Sequence, residues 1–264
     1  MTALLVYLVC GAFAGVLAGL LGVGGGIVIV PMLSLVFPWQ GVPPELVQLM
    51  ALGTSLASII FTSIASFRAH NKRGAVRWDI WRGVTPGILV GTFVGGFLAA
   101  ALPTFFLKGF FVCFIFYVAI QMLLDLKPKP SRHLPGLPGM STVGSGIGLV
   151  SSLVGIGGGT LSVPFMTWCN VPMHTAVGTS AAIGFPIALA GALSYVWNGL
   201  GVAGLPPFSL GYVSLTALLG LASASYFTAP LGAKLAHSLP VPKLKRFFAL
   251  FLLVMGTRML WGLF

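Results

Sequence analysis

Two glycine-rich stretches are the strongest candidates for a binding site in this 264-residue chain. They span Gly22 to Pro31 and Gly155 to Pro164, and each reads G-x-G-G-G, four residues and a proline, within apolar sequence. Adjacent glycines are a poor continuation of a helix, but they allow a tight turn or the close approach of a ligand. We therefore expect each stretch to end one helix and to begin another.

A helix that begins directly after such a turn points its unpaired N–H groups and the positive end of its dipole at the turn. Each end carries about +0.5 charge, so two facing ends suit a small anion with one or two negative charges. The predicted ligands are Gly24, Gly25, Gly26, Gly157, Gly158, Gly159 and Thr160. The site is not chemically symmetric, because Ile27 stands where Thr160 does in the second stretch. The alternative is that the glycines only permit close helix crossing.

A Gly-Thr-Ser triplet also occurs twice, and it supplies hydroxyl groups. Thr54 and Ser55 follow Gly53, and Thr179 and Ser180 follow Gly178. The first pair lies roughly ten residues into a predicted helix, about 15 Å deep, and the second lies at a similar depth. Their hydroxyls can donate to the oxygens of an anion where water is scarce. The alternative is a hydrogen bond to the same helix or a neighbouring one, as is common for serine and threonine in membranes.

The remaining polar residues do not indicate catalysis. Glu45 and Asp125 lie near helix ends and Asp79 in a loop, so none is placed as a proton carrier at the centre of a membrane. His174, near a helix start, is either a capping or interfacial residue or a pH-sensitive gate. We expect no enzyme activity, no cofactor and no metal site.

The composition predicts an all-α polytopic membrane protein. Hydrophobic residues make up 57% of the chain and charged residues only 6%, and the mean hydropathy is +1.04. These values are typical of membrane proteins rather than soluble domains. The net charge of +11 then reflects basic loops on the cytoplasmic side rather than nucleic-acid binding.

The two halves of the chain match over most of their length. The glycine stretches recur at an offset of 133 residues, the triplets at 125, and Pro103 recurs as Pro240 at 137. We predict a first repeat over 1–126, a cytoplasmic linker over 127–140 and a second repeat over 141–264. Each repeat has five predicted segments: 5–22, 26–37, 45–67, 83–102 and 107–124, then 142–156, 160–171, 173–197, 210–233 and 246–263. The segments after the glycines, at about 12 residues or 18 Å, are too short to cross, so we expect re-entrant hairpins of half-helices, each followed by three transmembrane helices.

Basic residues indicate the sidedness of the loops. Twelve of the 14 lysines and arginines fall in three segments that we assign to the cytoplasm. They are Arg68, Lys72, Arg73, Arg77 and Arg82, then Lys127, Lys129 and Arg132, then Lys234, Lys243, Lys245 and Arg246. Equivalent loops of the two repeats thus lie on opposite sides, which predicts an inverted repeat with both termini outside. A count of ten full crossings, with both hairpin arms spanning, keeps the inversion.

Small residues four apart indicate close helix packing. They are Gly11, Gly15 and Gly19, Gly87, Gly91 and Gly95, Gly144, Gly148 and Ser152, and Gly220, Ala224 and Thr228.

Together the glycine stretches, Ala51 to Ser55 and Ala176 to Ser180 resemble the TauE/SafE sulfite exporter family (TSUP) over nearly the whole chain. The resemblance implies a plasma (inner) membrane, multi-pass transporter of small sulfur-containing anions such as sulfite, organosulfonates or thiosulfate, with possible proton coupling. We expect alternating access, in which one repeat moves against the other around a midplane site. The alternatives are a membrane scaffold without transport and a membrane-embedded enzyme. No nucleic acid is expected as a partner, and the sequence leaves the oligomeric state open.

Overall fold

The computed structural model describes residues 2–21, 25–124, 131–235 and 241–262. The predictions made for Gly24, Asp125, Lys127 and Lys129 fall outside these ranges. The helices are α1 (Thr2–Leu21), α2 (Gly26–Trp39), α3 (Pro44–Asn71), α4 (Trp78–Ala101), α5 (Thr104–Leu123), α6 (Leu137–Val154), α7 (Gly159–Trp168), α8 (Met173–Gly199), α9 (Leu215–Leu235) and α10 (Val241–Trp261). Strands β1 (Ser209–Leu210) and β2 (Val213–Ser214) form a short antiparallel hairpin before α9.

Each of the ten predicted segments corresponds to one of these helices, and the differences lie at their ends. Helix α6 begins at Leu137, because Pro138 is in the first turn, where a missing N–H costs nothing. The last residues of the predicted linker are therefore helical. Helix α4 begins at Trp78, so Asp79 lies in its first turn and not in a loop as expected. Helix α9 begins later than predicted because the β-hairpin precedes it.

The chain is an all-α polytopic membrane protein. Among the described residues, six helices are long and apolar enough to cross a membrane: α3, α4, α5, α6, α8 and α9. Helix α2 has 14 residues and α7 only 10, which gives lengths of about 21 Å and 15 Å. Both are shorter than the hydrocarbon core of about 30 Å, as the half-helix prediction requires.

Helices α3 and α8 form the centre of the fold. Buried residues make up 83% of the apolar window of α3 and 78% of that of α8, against 39–44% in the other four long helices. Around this pair the two repeats exchange helices, because α4 of the first repeat packs on α6 and α8, and α9 of the second packs on α1 and α3. The packing thus forms two mixed bundles, the α1/α3/α9 bundle and the α4/α6/α8 bundle.

The exchanged helices approach closely at small residues, which confirms the predicted packing role of the four-residue spacing. A β-carbon on Gly11 of α1 would lie 2.6 Å from the carbonyl oxygen of Leu221 in α9. One on Gly148 of α6 would lie 2.7 Å from the carbonyl oxygen of Ile88 in α4. These helix pairs therefore pack backbone against backbone, and a methyl group at either glycine would force them apart.

We expect Gly148→Ala to destabilise the protein by about 1–3 kcal/mol, because the added methyl has no space between α6 and α4. Gly146→Ala, on the same helix, is the matched control, since a β-carbon there meets no atom within 4 Å. Thermal unfolding in detergent measures both variants. An equal melting temperature for the two would contradict the close contact.

Candidate functional site

The two glycine stretches begin α2 and α7 in the same way. Gly25 and Gly158 are the residues before the two helices, and their φ angles of 78° and 76° lie in the left-handed region that favours glycine. The carbonyl oxygen of Gly25 accepts the N–H groups of residues 28 and 29, and that of Gly158 accepts those of residues 161 and 162. The amides just before these, at the first positions of each helix, have no intrahelical acceptor.

The two stretches meet inside the protein. Gly26 lies against the carbonyl oxygen of Gly155, and a β-carbon on Gly26 would come 3.0 Å from the α-carbon of Ile156. Residues 25–30 and 151–159 are all buried. The two stretches therefore touch in the core at Gly26 and Gly155, and both short helices begin in buried segments.

Thr54 and Thr179 form matching hydrogen bonds between the repeats. The hydroxyl oxygen of Thr54 in α3 accepts the N–H of Ser214, 3.0 Å away, just before α9. The hydroxyl oxygen of Thr179 in α8 accepts the N–H of Arg77, 2.9 Å away, just before α4. Both threonines are fully buried. Because residues 77 and 214 are themselves related by the offset of 137, these two bonds are equivalent under the internal repeat.

The glycines of the triplets make the same contact in both halves. A β-carbon on Gly53 would lie 2.8 Å from the carbonyl oxygen of Tyr212, and one on Gly178 would collide even more closely with the carbonyl oxygen of Ala75. The segment before α9 therefore rests on α3, and the segment before α4 rests on α8. Each Gly-Thr-Ser triplet therefore contacts and positions a non-helical segment that belongs to the other repeat.

The serines of the triplets contact the short helices and their turns. The Ser55 hydroxyl donates to the carbonyl oxygen of Gly155 at 2.8 Å, so α3 is bonded directly to the second glycine stretch. The Ser180 hydroxyl oxygen accepts the Ser162 hydroxyl of α7 at 2.9 Å. Both serines are fully buried. Three of the four predicted hydroxyls thus bond backbone groups and the fourth bonds another hydroxyl.

Thr160 lies in the first turn of α7, and its hydroxyl is buried without a hydrogen-bond partner. Ser151 of α6, which was not predicted as a site residue, is fully buried, and its hydroxyl also has no hydrogen-bond partner. The sequence signal for Ser151 is weak, since a serine one turn before a glycine stretch resembles many packing serines. Its orientation toward the turn is visible only in the fold.

The other candidates lie away from this centre. His174 is exposed in the first turn of α8. Glu45 and Asp79 lie in the first turns of α3 and α4. Among the described residues, no group of three or more His, Cys, Asp or Glu side chains could hold a metal ion. The glycine stretches and their surrounding hydroxyls are therefore the candidate site that the fold brings together.

Broken helices that meet at the centre of a polytopic bundle are the architecture of secondary transporters. The chain belongs to the sulfite exporter TauE/SafE family, whose model matches residues 7–259. It is 40% identical to a probable membrane transporter protein of Haemophilus influenzae, over 98% of each chain. It is 30% identical to one of Methanocaldococcus jannaschii, over 96% of this chain and 94% of the relative. No solved structure matches the chain.

The comparisons confirm the predicted family and class of protein. Its family is described as exporters and its relatives as probable membrane transporters. The chain is therefore a multi-pass membrane transporter of the TauE/SafE type and not an enzyme.

We expect Thr54→Val to destabilise the protein by about 1–3 kcal/mol, because it leaves the N–H of Ser214 buried and unpaired. Thr179→Val should cost less, since Ser214 is only 4% exposed whereas Arg77 is an exposed residue. Thermal unfolding compares them with Thr142→Val, which removes an exposed hydroxyl that bonds only its own helix. A smaller loss for Thr54→Val than for Thr142→Val would contradict the structural role.

Proposed function

We propose that the protein carries small sulfur-containing anions, such as sulfite, organosulfonates or thiosulfate, across the plasma membrane by alternating access. The family description as sulfite exporters supports the substrate class. The observation that carries the mechanism is the meeting of the two glycine stretches in the core, where Gly26 lies against Gly155. Two helix starts in buried stretches that touch each other favour a negatively charged ligand without a lysine or arginine.

In this proposal the glycine amides and Thr160 contact the anion. The hydroxyls of Thr54, Ser55, Thr179 and Ser180 act mainly by positioning, because each already has a protein partner. Thr54 and Thr179 accept in these bonds, so each still has a hydroxyl hydrogen to donate. His174 remains a candidate gate at the inner end of α8. Proton coupling is not part of the proposal.

The bodies that move are the two mixed bundles rather than the two sequence repeats. Thr54 ties α3 to the start of α9, and Thr179 ties α8 to the start of α4. Both bonds lie within a bundle, while the contact between α3 and α8 joins the two bundles. Rocking at that contact would open the glycine stretches to one side and then the other without breaking the buried threonine bonds.

We expect Gly26→Ala to reduce sulfite, thiosulfate or organosulfonate flux in proteoliposomes at least tenfold, because the methyl group would collide with Gly155 at the proposed site. Gly109→Ala in α5 is the control, since a β-carbon there meets nothing within 4 Å. Gel filtration and thermal unfolding establish that both variants are folded. Flux like that of the unchanged protein in a folded Gly26→Ala variant argues against a site at the glycine stretches.

The inverted arrangement predicts opposite sides for the loops after α3 and after α8. Single cysteines at Lys72 and Ala203, both exposed, test it in a variant without the three native cysteines. An impermeant maleimide added outside intact cells should label Ala203→Cys and should label Lys72→Cys only after the membrane is opened. Labelling of both cysteines from outside would rule out the inversion.

A further inference from the structure

Three hydroxyls near the second glycine stretch are buried without any hydrogen-bond partner: those of Ser151, Ser152 and Thr160. The Ser152 hydroxyl lies toward α4, 3.6 Å from where a β-carbon on Gly96 would be, whereas Ser151, with 0% exposure, and Thr160 lie at the start of α7. Many other buried hydroxyls, such as those of Ser58 and Thr62, donate to carbonyl groups of their own helix, although those of Ser66 and Thr92 are also unpaired. A buried donor without a partner is costly, so two of them at one helix start require an explanation.

Ser151 faces the start of α7. A β-carbon on Gly158, the residue before α7, would lie 3.5 Å from the Ser151 Oγ. The other two atoms nearest to that point are apolar and belong to Ile187 and Ile147. The Ser151 hydroxyl therefore lies beside the positive end of the α7 dipole, next to apolar side chains.

The first repeat has the same geometry without the hydroxyls. The residues that correspond to Ser151, Gly158 and Thr160 are Ala18, Gly25 and Ile27. A β-carbon on Gly25 would lie 3.4 Å from the methyl carbon of Ala18, which matches the distance from Gly158 to the Ser151 hydroxyl. The backbone is thus duplicated, while unpaired hydroxyl donors lie at the start of α7 and not, among the described residues, at the start of α2.

We propose that the start of α7 is the anion-binding end of the site, where the Ser151 and Thr160 hydroxyls and the first amides of α7 donate to a monoanion. This inference rests on the proposed transport function and names the residues and charge class of that same site. The start of α2 contributes only its backbone and closes the site from the other side.

The charge class follows from the donors available. Among the described residues, the buried polar side chains are hydroxyls, Gln48 and His70, with no lysine or arginine. One helix start supplies about half a positive charge, and hydroxyls supply hydrogen bonds without net charge. The cost of removing an ion from water rises steeply with its charge. The α7 site therefore accepts one negative charge spread over several oxygens in preference to two.

Ser151→Ala and Thr160→Val test the residues, with Ser225→Ala as the control. Ser225 is equally buried, but its hydroxyl donates to the carbonyl oxygen of Ala222. Stabilisation of the purified protein by methanesulfonate, measured as the shift in melting temperature over a concentration series, gives the affinity. We expect about tenfold weaker binding for each of the first two variants and unchanged binding for Ser225→Ala.

Two further readouts separate this role from a structural one. Without anion, Ser151→Ala should melt no lower than the unchanged protein, because the hydroxyl that it removes has no partner. Sulfate, a tetrahedral dianion, stabilises proteins nonspecifically, so the informative quantity is the difference between the unchanged protein and Ser151→Ala. That difference should be present with methanesulfonate and absent with sulfate.

Equal methanesulfonate affinity in Ser151→Ala and the unchanged protein would overturn the inference, and so would a difference as large with sulfate. If sulfite or thiosulfate flux persists in those cases, the proposed function stands and only the α7 site fails. If the unchanged protein neither binds nor carries any of these anions, both proposals fail together.

Discussion

The structure depends on supplying hydrogen-bond partners to backbone that is not helical inside a membrane protein. Where such backbone is buried, no water is available, so each free N–H or carbonyl must bond within the protein. The chain leaves helical geometry around the glycine stretches and in the segments before α4 and α9. Thr54 and Thr179 accept amides of those two segments, and Ser55 donates to the carbonyl of Gly155. Interior breaks in the helices are tolerable because of these few hydroxyls.

The same bonds explain why the repeats are not independent folding units. The segment before α4 finds its acceptor on α8, and the segment before α9 finds its acceptor on α3. Either repeat alone would leave one of its amides without a partner and one of its threonines without a donor. The sequence repeats once per half, but each bundle takes helices from both halves. A fold of this kind gains cooperativity, since neither half completes its buried hydrogen bonds without the other.

Apolar runs and glycine breaks predicted all ten helices, because hydropathy and helix termination are local properties. The starts of α6 and α9 differ from the prediction, since they depend on a proline in the first turn and on the β-hairpin. The repeat also marked Thr54 and Thr179 as a pair. The sequence did not identify the hydrogen-bond partners of these threonines. It shows that a hydroxyl can form a hydrogen bond, but not which backbone amide lies next to it in the fold. Ser151 was missed for the same reason.

Between the two repeats, the backbone conformation at the glycine stretches is more similar than the side chains that lie beside it. Gly25 and Gly158 share one conformation, and the atoms beside them lie at nearly the same distance, yet one neighbour is a methyl and the other a hydroxyl. Under the proposed alternating access, a symmetric backbone is what two equivalent open states require, because each must be reached by the same motion in opposite senses. The proposed anion, with one charged end, needs no such symmetry in its contacts. The first requirement concerns backbone atoms and the second concerns side-chain atoms. The backbone can therefore remain duplicated while the polar side chains lie at one helix start only.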